Sequence, residues 1–118
     1  MQILVAEDDP SLAALEAELL AEEGYSVTLA PTPERAYELA RTRSWGAVLV
    51  DTFGRRHAEL EAADRSFLRA MAASGPVIVV SARSGIARLR PAELGVAAIV
   101  PKPFDVDELL DTIRSVSS

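Results

Sequence analysis

The chain has 118 residues, 49% of them hydrophobic, with no cysteine and a formal net charge of −6. That length fits one domain over 1–118 with a core that needs no covalent staple. The lack of cysteine excludes disulfides, thiolate metal sites and a thiol nucleophile, and the acidic balance argues against nucleic acid as a partner of this domain. No apolar run approaches the roughly 18 residues of a membrane span, and the first one stops at Glu7-Asp8-Asp9, too short for a secretion signal. A cytoplasmic location with no membrane partner is expected.

Apolar runs at Ile3–Ala6, Val27–Ala30, Ala47–Val50, Val77–Val80 and Ala97–Val100 alternate with stretches of helical spacing. Most are continuously apolar, as strands covered on both faces are. Between the first two runs, Leu12, Leu15, Leu19 and Leu20 predict the apolar face of a helix, with Glu16, Glu18, Glu22 and Glu23 largely elsewhere. Asp9-Pro10 marks its start and Gly24 follows its end. Further helices are predicted over about Pro33–Arg41, Ala58–Ala73 and Asp105–Val116. The fourth link is broken by Ser84-Gly85 and Pro91, so only short turns are expected there, restarting with Pro91 at a first helical position. Strands alternating with helices give an α/β fold with a five-stranded parallel sheet.

In such sheets ligands bind beyond the carboxyl ends of the strands. Those ends carry Glu7, Asp8 and Asp9 after the first run, Asp51 after the third, Ser81 after the fourth, and Pro101-Lys102-Pro103 after the fifth. Clustered oxygen ligands suit a hard cation such as magnesium, which takes one or two carboxylates and shares phosphate oxygens. A hydroxyl and a lone ammonium suit a phosphoryl group. Of the 12 basic residues only Lys102 is a lysine, a compact point charge where every other basic position carries a planar guanidinium. Taken singly, each residue has a plainer reading: Asp9 as a helix cap, Asp51 as a turn former, Lys102 as a solvated loop residue. Their joint placement at strand ends carries the argument.

These residues resemble the receiver domain of bacterial two-component response regulators, over essentially the whole chain. Ile3-Leu4-Val5-Ala6-Glu7-Asp8-Asp9-Pro10 looks like the family's first strand and acidic pair, and Val48-Leu49-Val50-Asp51 like the strand ending in the phosphoacceptor. Val79-Val80-Ser81-Ala82 matches the switch hydroxyl and small residue, and Lys102-Pro103-Phe104 the lysine turn. The resemblance implies a flavodoxin-like sheet of order 2-1-3-4-5 with helices on both faces. It implies transfer of phosphoryl from a histidine kinase or phosphotransfer protein onto Asp51. Mg²⁺ (or Mn²⁺) would be held by Glu7, Asp8, Asp51 and the Phe53 carbonyl. Ser81, Ala82 and Lys102 would bind the phosphoryl group, and a cis Lys102–Pro103 peptide would set the turn. It further implies an output domain or target protein, and allows a homodimer through the face of the fourth helix, fifth strand and fifth helix. The domain would be a phosphoacceptor and not an enzyme acting on other substrates.

The departures concern readout. The segment Thr52-Phe53-Gly54-Arg55-Arg56-His57 lacks the family's usual Met-Pro turn, and Ile99 stands where switching members carry an aromatic residue. Phe53 and Arg83 flank the path that the resemblance gives to hydrolytic water, and so are expected to tune phosphoryl lifetime. These departures keep open an alternative: a receiver-like interaction module that does not require phosphorylation. A metal-dependent phosphatase or nuclease using Asp51 lacks a second acid–base residue, His57 being the only histidine.

Overall fold

In the computed structural model, which describes residues 1–51, 62–81, 89–101 and 105–117, each apolar run becomes a strand: β1 (Gln2–Ala6), β2 (Ser26–Ala30), β3 (Ala47–Asp51), β4 (Val77–Ser81) and β5 (Ala98–Pro101). The helices among the described residues are α1 (Pro10–Glu22), α2 (Pro33–Ala40), α3 (Ala62–Ala72), α4 (Pro91–Leu94) and α5 (Val106–Ser117). The strands form one parallel sheet of order β2-β1-β3-β4-β5, as expected. None of these helices is long and apolar enough to cross a membrane.

Side chains alternate across a strand, so each strand serves two layers. Ile3, Val5, Ala47, Leu49, Ile78 and Val80 pack with Leu20 of α1 and with Leu109, Leu110 and Ile113 of α5. Leu4, Ala6, Val48, Val50, Val77 and Val79 pack with Ala36 of α2, Phe67, Leu68 and Met71 of α3, and Leu94 of α4. Helices therefore cover both faces. β3 and β4 are buried throughout, while the edge strand β2 leaves Leu29 exposed. Tyr37 and Phe67 join α2 to α3 edge to face, with ring centroids 5.3 Å apart. Trp45 is buried, and its Nε1 donates to the Leu39 carbonyl at 3.1 Å.

The breakers act where the sequence puts them. Asp9 caps α1, its carboxylate accepting from the Ser11 and Leu12 amides at 2.9 and 3.2 Å ahead of Pro10. Thr32 caps α2 by accepting from the Arg35 amide at 3.1 Å. Pro91 opens α4, which ends after four residues at Gly95, whose φ of 70° costs a residue without a Cβ little. Before it, the Arg90 amide and guanidinium both donate to the Glu93 carboxylate at 3.2 Å, holding its carboxyl below the usual range.

One expectation is corrected. The leucine stripe predicted for α1 is only partly its buried face: Leu20 is buried as expected and Leu12 and Leu19 are half-buried, but Leu15 is 51% exposed, and Glu16, expected elsewhere, faces the sheet with Ala13 and Leu20. Packing against the sheet sets the rotation of α1, and positions 13, 16 and 20, at helical spacing, lie on its inner side. Smaller differences lie at element ends. Asp51, Ser81 and Pro101 belong to their strands, with Asp51 opposite Val80 and Ser81 opposite Pro101, because the ladder continues one residue past the apolar runs.

Replacing Asp9 with Ala should lower stability by about 1 kcal/mol, the usual cost of losing a side-chain N-cap. Equilibrium urea unfolding should show a lower midpoint at an unchanged slope.

Candidate functional site

Strand register builds the site. Ala6 pairs with Val50 across β1 and β3, so Glu7 and Asp51 stand at the same level, one residue further on. The Glu7 amide donates to the Ala30 carbonyl at 3.1 Å, extending the β1–β2 pairing by one residue and fixing Glu7 in extended backbone. By alternation Glu7 follows Val5 and Asp51 follows Leu49, on the layer covered by α1 and α5. There the inner face of α1 brings in Glu16. Carboxylate oxygens of Glu7, Glu16 and Asp51 all lie within 4.8 Å of one another, and the three residues are 3%, 4% and 4% exposed.

The Glu7 carboxylate also accepts from the Asp9 amide at 3.2 Å, tying it to the start of α1. Asp8, between them, is exposed and is not one of the three grouped carboxylates. Ser81 is buried at the end of β4 and follows Val79, which puts it on the opposite layer, that of α2, α3 and α4. Ile99, opposite Val79 in the ladder, packs half-buried against the same layer. Phe53, Ala82, Arg83, Lys102 and Pro103, and the turn expected at Lys102–Pro103, lie outside the described residues.

Two ionised carboxylates within 4.8 Å of one another repel by about 3 kcal/mol or more at an effective dielectric constant near 20. Three together in apolar surroundings need hydrogen-bond donors, a cation or protons to offset that charge. The grouped donors are all carboxylate oxygens, the chemistry of a hard divalent cation and not of zinc or copper. The donor set thus fits magnesium. Glu16 was not among the residues that sequence reasoning selected. Helical spacing groups positions 13, 16 and 20 on one face, but no local signal says that this face, rather than the one carrying Leu15, meets the sheet.

The sequence matches the response regulator receiver domain family over residues 3–114. It is 34% identical over 115 residues to the transcriptional regulatory protein DltR of Streptococcus agalactiae, covering 97% of this chain and 50% of that protein. The chain thus spans about half the length of this curated relative. The non-phosphorylated HemR receiver domain of Leptospira biflexa superposes with a TM-score of 0.75 at 30% identity, covering 99% of this chain and 94% of that one. The receiver domain of a sensor histidine kinase from Pseudomonas aeruginosa, solved with a magnesium ion in its active-site cleft, shares the fold with a TM-score of 0.74 at 24% identity, covering 98% of this chain and 96% of that one.

Removing one charge from the group should stabilise the protein when no cation is present. In EDTA at neutral pH, Asp51→Asn should raise the urea midpoint by the equivalent of about 1–2 kcal/mol, part of the pairwise repulsion.

Proposed function

The chain belongs to the response regulator receiver domain family, a family of signalling domains, and on that premise we propose that Asp51 is its phosphoacceptor, receiving phosphoryl from a histidine kinase or a phosphotransfer protein. The observation that carries this reading is the burial of Asp51 at the carboxyl end of a central strand, grouped with carboxylates from two other elements. An Asp51 carboxylate oxygen attacks phosphorus, the bond to the donor histidine nitrogen breaks, and an acyl phosphate results.

Asp8, Asp51, Glu7 and the Phe53 carbonyl would hold Mg²⁺ or Mn²⁺. When bound, the cation supplies positive charge that offsets the charge developing on the phosphoryl oxygens. The Pseudomonas receiver, of the same fold, was solved with magnesium in its own active-site cleft. The Glu7 link to the Asp9 amide orients one carboxylate before any ligand arrives. The Ser81 hydroxyl, the Ala82 amide and Lys102 would hold phosphoryl oxygens, with Pro103 setting the turn behind the lysine. Phe53 and Arg83 tune the approach of water to phosphorylated Asp51. Residues 1–118 act as one receiver unit in the cytoplasm. Its output is an attached domain or a target protein, and a homodimer through α4, β5 and α5 is one form of that output.

Ile99 favours one second reading. An aliphatic side chain half-buried against the α2–α4 layer has no ring to turn on phosphorylation, which suits a module whose partner binding does not depend on phosphate.

Incubation with acetyl phosphate and Mg²⁺, followed by intact mass measurement, tests the reading. One phosphoryl group should add to the protein, and none to Asp51→Asn or, under the same conditions, Asp8→Asn. An unmodified wild type that still binds its partner would favour the second reading. Once donor is removed, the double replacement Phe53→Asn and Arg83→Glu should shorten the life of the acyl phosphate several-fold, measured as the rate of return to unmodified mass.

A further inference from the structure

The turn from β1 into α1 is held from both ends. On the β1 side the Glu7 amide donates to the Ala30 carbonyl of β2 at 3.1 Å, so the backbone there still belongs to the sheet. On the α1 side Asp9 is fixed by its own helix. Its carboxylate accepts from the Ser11 and Leu12 amides at 2.9 and 3.2 Å, and its carbonyl accepts from the Ala13 amide at 2.9 Å. The Asp9 amide points the other way and donates to the Glu7 carboxylate at 3.2 Å. Asp8 is the exposed residue between these two anchors. Resting on the phosphoacceptor reading above, we infer that Asp9 is a positioning residue for the cation site: by capping α1, its side chain aims its amide at Glu7 and fixes the backbone that carries Asp8.

A capping side chain holds its residue in extended backbone while the helix starts at the next one, and Asp9 has φ −88° and ψ 113°. In that conformation its amide faces back along the chain, within reach of Glu7. Without the side-chain oxygen, the Ser11 and Leu12 amides turn to water and the first turn of α1 frays. The Asp9 amide then leaves Glu7 more readily, and residues 7 and 8 must be ordered when a cation arrives. Ordering at that moment costs affinity that a group already held in place does not lose. This role is separate from the charge of Asp9. An exposed carboxylate attracts a cation through a field that water and salt screen. Asparagine caps a helix about as well as aspartate and carries no charge, so the two effects can be pulled apart.

The test is an NMR titration of the whole chain with MgCl₂, following backbone amide shifts, on the wild type, Asp9→Asn and Asp9→Ala. It is run at a temperature where circular dichroism shows all three folded, so that a loss of stability alone moves nothing. Both variants lose the charge and only Asp9→Ala loses the cap, so the ratio of their affinities reads positioning. Asp9→Ala should bind Mg²⁺ about tenfold or more weakly than Asp9→Asn, the loss typical of removing a group that orients a metal ligand. In EDTA, the amide of residue 9 should exchange with solvent faster in Asp9→Ala than in Asp9→Asn. If the alanine variant does not fold, Asp9→Gly takes its place with the same expectations, since glycine lacks the oxygen yet costs a helix start little. A smaller ratio, equal exchange, or a wild type that binds no Mg²⁺ overturns the positioning role. Acetyl phosphate labelling of the wild type then separates the two readings: a labelled wild type leaves the phosphoacceptor reading standing, and an unlabelled one removes it as well.

Discussion

Carboxylates cannot be gathered inside a protein without something to oppose their charge, and this molecule gathers three. The parallel sheet makes the gathering possible. Matched register brings the ends of β1 and β3 level, and alternation turns Glu7 and Asp51 to the same side of the sheet. α1 closes over that side and adds Glu16. The apolar layers beneath keep the group in place and also withhold the water that would screen it. Stability given up at the strand ends is recovered in the central strands β3 and β4, buried along their whole length.

The same alternation divides the strand ends between the two layers. The carboxylates lie on the side of α1 and α5, while Ser81 and Ile99 lie on the side of α2, α3 and α4. In the proposed function, a phosphoryl group on Asp51 would be held from both sides of the sheet edge. A movement of Ser81 toward it would then be felt in the layer that contains Ile99 and the short α4. That helix is one turn, opened by Pro91 and ended by Gly95, with its exposed Arg90–Glu93 pair facing water. Leu94 anchors this short segment to the layer that also holds Ile99.

Much of this was legible in the residues alone. Continuous apolar runs declared buried parallel strands, and Asp9-Pro10 and Pro91 marked helix starts because caps and prolines act through local backbone chemistry. Asp51 and Ser81 could be placed at strand ends for the same reason: a polar residue that stops an apolar run marks where the ladder leaves the core. Local chemistry also fixed the limits of such reading. The leucines of α1 form a helical stripe in the sequence, and nothing local says that Leu15 turns outward while Glu16 turns toward the sheet.

The sequence by itself determined the alternation of strands and helices, the order of the acidic and hydroxyl residues along the chain, and the family to which the chain belongs. These follow from apolar periodicity and from residue types whose effects act over a few positions. Only the tertiary structure decided which carboxylates meet. Glu16 is nine residues from Glu7 and 35 from Asp51 in the chain, and the three come together because strand register and the docking phase of α1 are set by packing over the whole sheet. Helical spacing alone did not fix the rotation of α1: the fold buries Leu20 together with Ala13 and Glu16 and turns Leu15 outward, which brings a third carboxylate to the end of the central strands.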